Sequence, residues 1–237
     1  MDTVITCEEV KPGSTAMLKP GESQKVIHLV RHGQATHNLF AAMKHTEGTP
    51  CKCALKQKGC PYINEEHTDA RLTQRGRLQA VAAGSRLLQT FPVPQCAFVS
   101  PLSRTLQTAT IALSKASALS ISLIAEESLR ERNGVHVCDK RSPKEDVMDL
   151  YPSVDFGTIA PGPDALFSEI RETEEELAAR GKKFFLSLAG RPESSFAVFT
   201  HSSFLFNTLS RGFQTPDPSA ARRFQTGESR VVILTYT

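Results

Sequence analysis

The sequence contains no tryptophan, and among its 237 residues there are only three tyrosines and four methionines. It also lacks a large excess of charge of either sign, since 28 lysines and arginines face 25 aspartates and glutamates, for a formal net charge of +3. A basic run with interleaved aromatic residues is typical of nucleic-acid surfaces, and no such run is present. We therefore expect no nucleic-acid partner.

Long hydrophobic runs are missing as well. No apolar run approaches the roughly 20 residues of a membrane-spanning helix, and the polar residues 1–20 lack the apolar centre of a secretory signal. The hydrophobic content of 40% still suffices for a full core in a chain of this length. We expect one soluble, cytoplasmic domain over residues 1–237, with a flexible N-terminus at 1–22 and no membrane partner. The oligomeric state stays open.

The six cysteines do not have the pattern of a disulfide scaffold. Three of them fall in one short stretch with two histidines nearby: Cys51, Cys53 and Cys60, with His45 and His67. A zinc site is one alternative, but the spacing is not the paired two-residue knuckle of zinc ribbons, so we expect reduced thiols and no metal. Residues 45–68 lack strong periodicity and are predicted to form a loop insertion near the mouth of any pocket.

Elsewhere, short apolar runs alternate with helical periodicity. The predicted strands are 25–30, 96–100, 120–125, 196–200 and 230–236, and the predicted helices are 34–44, 74–89, 101–116, 165–189 and 203–211. This order predicts an α/β fold, a three-layer α/β/α sandwich with a mostly parallel central sheet. In the helix 165–189, Phe167 and Ile170 are assigned to the apolar face, and Glu172 and Glu174 to a solvated face.

Two predicted strands end on a histidine. Residues 26–30 lead into Arg31, His32 and Gly33, and residues 195–200 lead into His201. Ligands of open α/β sheets bind beyond the carboxyl ends of the strands, so these side chains are expected to meet there.

A third strand is followed by Ser100 and Pro101, which are typical of a helix start and would place Arg104 in the first helical turn. Two guanidinium groups, from Arg31 and Arg104, match the oxygens of a phosphoryl group. A neutral His32 could attack phosphorus if one ring nitrogen is held as a donor to a backbone carbonyl, with His201 as a second positive donor. The strand ends therefore predict a phosphate pocket.

Four motifs extend over most of residues 26–234: Leu29-Val30-Arg31-His32-Gly33 with Asn38 beyond it, Asp69-Ala70-Arg71-Leu72-Thr73-Gln74-Arg75-Gly76, Ser100-Pro101-Leu102-Ser103-Arg104-Thr105-Leu106-Gln107-Thr108-Ala109, and Phe199-Thr200-His201-Ser202. Together they resemble the histidine phosphatase superfamily, also called the phosphoglycerate mutase-like family. The resemblance implies that His32 is phosphorylated. It also implies that Arg31, Arg104 and His201 bind phosphate, that Asn38 touches it, and that an acid from the middle of the chain protonates the leaving group.

For that acid, the resemblance favours Glu131 in Leu129-Arg130-Glu131-Arg132-Asn133-Gly134, with Glu126 and Glu127 as nearby alternatives. The polar residues 126–165 match the position of the family's cap over the active site. Within them, Lys140 and Arg141 are candidates to bind a second phosphate or a carboxylate of the substrate, the alternative being two exposed loop cations.

These residues predict a phosphatase that hydrolyses a phosphomonoester through a phosphohistidine, with no metal or cofactor. The expected partner is a small phosphorylated metabolite or a phosphoprotein. One alternative is a phosphoglycerate mutase-type phosphotransferase, although the cap sequence departs from the mutase pattern. Another is a non-catalytic scaffold that binds phosphate, which the intact set of predicted catalytic residues disfavours.

Overall fold

The computed structural model describes residues 3–11, 14–19, 23–44, 60–114 and 119–237. In these ranges the strands are β1 (Ile5–Val10), β2 (Gln24–Arg31), β3 (Cys96–Val99), β4 (Ser122–Ala125), β5 (Val154–Asp155), β6 (Ser195–Thr200) and β7 (Ser229–Tyr236). The α-helices are α1 (Thr36–Lys44), α2 (Gln74–Gln89), α3 (Ser103–Ser114), α4 (Lys144–Leu150), α5 (Glu174–Ser187) and α6 (Ser202–Asn207).

All of these strands belong to one sheet, in the order β1-β7-β2-β6-β3-β4-β5. The pairs from β2 to β5 are parallel, whereas β7 runs antiparallel to both of its neighbours, β1 and β2. The predicted α/β fold with a mostly parallel sheet is confirmed. Each predicted strand is present within two residues of its expected bounds.

Helices cover both faces of the sheet. On one face, Phe185 of α5 and Phe204 of α6 share a buried cluster with Phe196 of β6. On the other face, Leu106 of α3 shares a second cluster with Phe199 of the same strand. Successive side chains of a strand point to opposite faces, so β6 contributes to both clusters. This produces the expected three layers and leaves the strand ends as the place for polar groups.

The N-terminal prediction is wrong for part of residues 1–22. Residues Ile5–Val10 form the edge strand β1, which pairs along its whole length with β7. Ile5 and Cys7 are buried in the core, as alternate residues of a strand should be when one face packs inward. Six residues with two charges are too weak a local pattern to predict this strand, which is stabilised by its pairing with β7.

The helix predicted at 165–189 begins nine residues later, at Glu174. Thr173 caps it, because its side chain accepts a hydrogen bond from the backbone of Glu176 while the Glu176 carboxylate bonds back to Thr173. Ile170, assigned to the apolar helix face, is therefore outside the helix and 80% exposed. Glu172, assigned to a solvated face, is paired with Arg180 at 2.7 Å.

The region predicted as a cap divides into two parts. Val147, Val154 and Ile159 are buried in the second cluster, the one that contains Leu106 and Phe199. Residues 144–159 therefore complete the main core through α4 and β5. Only the preceding loop and turn, residues 130–139, supply pocket residues from the predicted cap. The helix predicted at 203–211 is shorter in the structure. The α-helix α6 ends at Asn207, and a π-helical turn follows over Thr208–Gly212.

The loop insertion predicted at 45–68 is described only from residue 60 onward, where two 3₁₀ turns span Pro61–Ile63 and Glu65–His67. Cys51 and Cys53 lie outside the described residues, and so does any zinc site built on them. Within the described part, no group of three or more histidine, cysteine, aspartate or glutamate side chains is arranged to hold a metal. None of the helices in that part is long and apolar enough to cross a bilayer.

Candidate active site

The carboxyl ends of three neighbouring strands, β2, β6 and β3, form one wall of a pocket. The parallel register pairs Arg31 with Thr200, so the residues that follow them, His32 and His201, emerge side by side. The backbone N–H of His32 donates to Thr200 O at 3.0 Å, and the two imidazole centroids are 5.1 Å apart. The structure thus brings together the two histidines that the strand ends predicted.

The ring of His32 is oriented by its own turn. Nδ1 donates to the carbonyl oxygen of Gly33 at 2.7 Å, which leaves Nε2 as the ring nitrogen available to a phosphorus atom. Gly33 has to be glycine here, because a Cβ would lie 2.3 Å from Gly76 O. Burial lowers the pKa of His32 well below its ordinary value, and the charges of Arg104 and Arg31 lower it further. A neutral, oriented imidazole is a nucleophile at neutral pH.

Arg104 lies in the first turn of α3 and is 1% exposed. The helix starts two residues later than predicted because the side chain of Asp69, not a serine of the motif, accepts from the backbone N–H of Ser103 at 2.8 Å. The guanidinium donates through Nη1 to Cys138 O and through Nη2 to Asp139 at 2.8 Å. Its Nε is buried and has no hydrogen-bond partner within the described ranges.

Arg31 and His201 show the same incomplete pairing. Arg31 donates through Nη1 to Phe224 O at 2.6 Å, while its buried Nε has no partner among the described residues. His201 Nε2 lies 2.8 Å from the hydroxyl of Ser100, and its Nδ1 is likewise unpartnered there. Burial, followed by the charge of Arg104, lowers the pKa of His201 well below its ordinary value. The lowered pKa favours the neutral imidazole of His201 in the absence of an anion, whereas the sequence predicted a positive donor.

The three acids considered for proton transfer lie in different surroundings. Glu131 lines the pocket, and its carboxylate accepts from the backbone N–H groups of Ser203 and Phe204 at 3.1 and 3.0 Å. Glu126 instead caps its own turn, and Glu127 pairs with arginines away from the pocket lining. The geometry thus singles out Glu131 among the three.

Asn38 also lines the pocket, near the start of α1. Its Oδ1 accepts from the backbone N–H of Ala35 at 3.0 Å, which orients the amide. Its Nδ2 is consequently directed to His37 Nε2, 2.9 Å away. The side chain of Asn38 is therefore hydrogen-bonded to His37 whether or not a ligand occupies the pocket.

Lys140 and Arg141 do not line the pocket, so their assignment to a second anion is corrected. Arg141 is buried and donates to Glu127 at 3.0 Å, and the ammonium of Lys140 lies 5.6 Å from the ring centroid of Phe167. The 3₁₀ turn Val137–Asp139 brings Asp139 to the pocket instead, whereas the side chains of Lys140 and Arg141 lie outside the pocket lining.

The pocket has a volume of about 490 Å³ and a polar lining. Its lining includes residues that the sequence analysis did not assign to the site, among them His37, Tyr62, Arg132, Asp139, Arg171 and Arg223. His37 could have been noticed because it adjoins Asn38 in the first motif. Nothing in the local sequence pointed Arg171 to the pocket, because residues 165–189 were predicted to form a helix that includes it.

Asp139 holds two of the pocket arginines. Besides Arg104 it contacts Arg171, whose Nη1 lies 3.3 Å from Oδ2. Burial raises the pKa of Asp139, but the charges of Arg104 and Arg171 outweigh burial and keep it below its ordinary value. The neighbouring His136, 3.9 Å from the same carboxylate, has its pKa lowered to about 4, mainly by burial. Asp139 is therefore an ionised acceptor between two cations.

A neutral buried histidine with a second histidine beside it, two arginines whose Nε atoms are unpaired among the described residues, and the carboxylate of Glu131 at a polar pocket are typical of proteins that handle phosphoryl groups. The family model described as the histidine phosphatase superfamily (branch 1) matches residues 27–237. The chain belongs to this superfamily.

Two curated relatives from Arabidopsis thaliana are similar over most of the chain. Phosphoglycerate mutase-like protein 1 is 35% identical, with 84% of this chain and 76% of that protein covered. Phosphoglycerate mutase-like protein 2 is 30% identical, with 95% and 78% covered.

Solved structures share the fold at low identity. Phosphoglycerate mutase from Bacillus anthracis str. Sterne superposes with a TM-score of 0.57 at 16% identity, covering 91% of this chain and 92% of that one. The mycobacterial glucosyl-3-phosphoglycerate phosphatase Rv2419c gives 0.52 at 16% identity, with 89% and 90% covered. The fold therefore occurs in both mutases and phosphatases.

Proposed function

We propose that the protein is a metal-independent phosphatase that hydrolyses a phosphomonoester through a phosphohistidine intermediate. The observation that carries this proposal is the His32 ring, which is neutral, buried and oriented by Gly33 so that Nε2 is left for phosphorus. Two guanidinium groups nearby would offset the charge of the transferring group.

In the first step, Nε2 of His32 forms a bond to phosphorus as the bond between phosphorus and the ester oxygen breaks. Glu131 donates a proton to the departing oxygen, and the product alcohol leaves. In the second step, Glu131 accepts a proton from water, the water oxygen bonds to phosphorus, and the bond to His32 breaks to release phosphate. Arg31, Arg104 and His201 hold the phosphoryl oxygens, with Asn38 beside them. No step requires a metal or a cofactor.

We propose a small phosphorylated metabolite as substrate, because a pocket of about 490 Å³ with a polar lining suits a small polar molecule. A phosphoprotein is the other candidate from the sequence. A phosphoglycerate mutase-type reaction is kept as a second function, because the curated relatives are named mutase-like. The same residues would serve, with the phosphoryl group returned to the product instead of to water.

The test is rapid mixing with a panel of phosphomonoesters, followed by intact-mass analysis and measurement of free phosphate. A phosphatase should form an acid-labile adduct that is absent in His32→Ala, and it should accumulate phosphate. His67→Ala is a matched control, since this histidine does not line the pocket. An adduct that returns to an isomeric ester without phosphate release would favour the mutase. Phosphate binding without an adduct or turnover would indicate a scaffold.

A further inference from the structure

His37 is a second buried histidine beside the nucleophile, and none of the steps proposed above uses it. It is the second residue of α1, is 5% exposed and lines the pocket. Its ring centroid is 6.0 Å from that of His32 and 6.0 Å from that of Tyr62. A polar ring buried at this place has to be explained by a hydrogen bond that it makes.

The hydrogen bonds of Asn38 determine which nitrogen of His37 carries the proton. Because the backbone N–H of Ala35 donates to Asn38 Oδ1 at 3.0 Å, Nδ2 is the end of the amide that meets the ring. Nδ2 can only donate, so His37 Nε2, 2.9 Å away, is the acceptor. Burial lowers the pKa of His37 well below its ordinary value, with further contributions from Arg104 and His32. The ring is therefore neutral, with its one proton on Nδ1.

That Nδ1–H group has no acceptor among the described residues. An unsatisfied buried donor is rare and costs free energy, so it indicates a partner other than the described residues. Two other buried donors lining the same pocket share this property, Arg31 Nε and Arg104 Nε. Both belong to residues that the family resemblance assigns to phosphate. The His37 donor has the same burial, the same lack of a partner among the described residues and the same pocket.

We propose that His37 is a substrate-binding residue whose neutral Nδ1–H donates a hydrogen bond to an oxygen of the phosphoryl group. The contact is directed to the phosphoryl group, not the leaving group, because the His37 ring lies 6.0 Å from the ring of the nucleophile His32 and lines the same pocket as Arg104. Asn38 then acts on the substrate partly through His37, by keeping the proton on Nδ1. The inference rests on the proposed function in that the anion is the phosphoryl group of the substrate.

The test compares His37→Asn with His37→Leu. The amide nitrogen of asparagine can occupy the position of Nδ1 and keep the donor, whereas leucine removes it. We expect His37→Leu to weaken binding of inorganic phosphate and orthovanadate by about 10- to 100-fold, as for loss of a hydrogen bond to a charged group. His37→Asn should stay within about threefold of wild type on the same scale. Isothermal titration calorimetry measures both affinities, and melting temperatures show that both variants fold.

His67→Leu is the matched control, because His67 also has a buried unpartnered nitrogen but does not line the pocket. Its affinity for phosphate should equal that of wild type. Equal losses in His37→Asn and His37→Leu, or no loss in His37→Leu, would overturn the proposal. Long-range ¹H–¹⁵N NMR spectra give a second readout, since the proton should be on Nδ1 and should shift when orthovanadate is added. A proton on Nε2 would also overturn it.

The outcomes separate this inference from the proposed hydrolysis. If wild type binds phosphate, His37→Leu weakens it and no ester is turned over, the His37 contact stands and the phosphatase does not. If esters are hydrolysed and His37→Leu behaves as wild type in binding and in kcat/KM, the phosphatase stands and the His37 contact does not. Failure of wild type to bind either anion would overturn both.

Discussion

The two sides of the pocket differ in how their charges are paired. The sheet-end side, Arg31, His32, Arg104 and His201, retains three buried nitrogens without a partner in the described ranges. The cap side consists of Glu131, Asp139 and Arg171, whose charged groups already make hydrogen bonds within the protein. Buried donors without a partner indicate where the anion of a ligand would bind, whereas paired charges indicate residues that hold other side chains in place.

The two sides meet in the contact between Arg104 and Asp139, at 2.8 Å with both side chains almost fully buried. A buried ion pair adds little net stability compared with apolar packing, but removing one partner leaves an uncompensated charge. Arg104 thus receives its orientation from the cap side while serving the sheet-end side. Variants on each side should separate anion binding, proton transfer and positioning.

The largest effect should come from Glu131→Ala. For alkyl phosphates, kcat/KM should fall by about 10²- to 10⁴-fold, the usual contribution of general acid–base catalysis. With p-nitrophenyl phosphate, whose leaving group departs without a proton, stopped-flow traces should show a burst of nitrophenol followed by slow phosphate release. Glu126→Ala is the control, since Glu126 lies outside the pocket. Equal losses on both esters without a burst would contradict the proton-transfer role.

On the sheet-end side, Arg31→Gln should lower kcat/KM by about 10²- to 10³-fold, as expected for removal of a preorganised donor to developing charge. Its side chain donates one hydrogen bond among the described residues, to Phe224 O, and this bond is a small part of its role, so the melting temperature should change little. Steady-state kinetics with p-nitrophenyl phosphate measure the loss. An unchanged kcat/KM would remove Arg31 from the anion site.

On the cap side, Asp139→Asn should lower kcat/KM by about 10- to 100-fold, because misplacing a catalytic group by about 1 Å can cost that much. Orthovanadate, which resembles the transition state, should lose more affinity than phosphate when Arg104 is poorly oriented. Asp164→Asn is the control, since it breaks a buried pair with Arg130 away from the pocket. Asp164→Asn should be less stable than wild type, with an unchanged ratio of orthovanadate to phosphate affinity. If Asp139→Asn behaved in the same way, the role of Asp139 would be structural only.

The two sides should also respond to acid in different pH ranges. Burial lowers the pKa of His28, His32, His37 and His201, so the unfolded chain takes up protons near pH 6.5 that the folded chain does not. The free energy of unfolding should fall as pH drops below about 6.5, by about 1.4 kcal/mol per pH unit for each such histidine. Urea titrations at pH 7.5 and 5.5 measure this fall, and His28→Gln should reduce it.

The pKa of Asp139 is lowered, so its contribution is complete above its ordinary value of 3.8 and is lost only as pH falls through the lower folded value. The difference in free energy of unfolding between wild type and Asp139→Asn should therefore be constant between pH 5 and 7 and should shrink only below about pH 4. A difference that changes between pH 5 and 7 would contradict this division between the two sides.

The smallest effect should come from Lys140→Ala. The side chain lies over Phe167 outside the pocket, so kcat/KM should change by less than about twofold, as for most surface substitutions. Steady-state kinetics with the best ester of the panel measure it. A larger loss confined to substrates with a second anionic group would restore the original assignment of Lys140.

Local patterns sufficed to predict the strands that end at the pocket. The apolar runs before His32 and His201 are buried on both faces in a parallel sheet, and such runs are recognisable without knowing their neighbours. The motif positions of the sheet-end side could likewise be assigned from residue types and order, whereas Glu131 was favoured over Glu126 and Glu127 by the family resemblance. The edge strand β1 could not, because its stability depends on pairing with β7 at the far end of the chain.

Positions on the cap side depend on contacts between distant parts of the chain. Asp139 reaches Arg104 across 35 residues and Arg171 across 32, and neither distance follows from any periodicity. Lys140 and Arg141 were chosen for their charge, but the turn ending at Asp139 directs the acid to the pocket instead. Functional residues that directly follow a strand can be predicted from the local sequence, because the parallel sheet brings the strand ends together. Which loop residues face that chemistry is decided only when the ion pairs of the folded cap form.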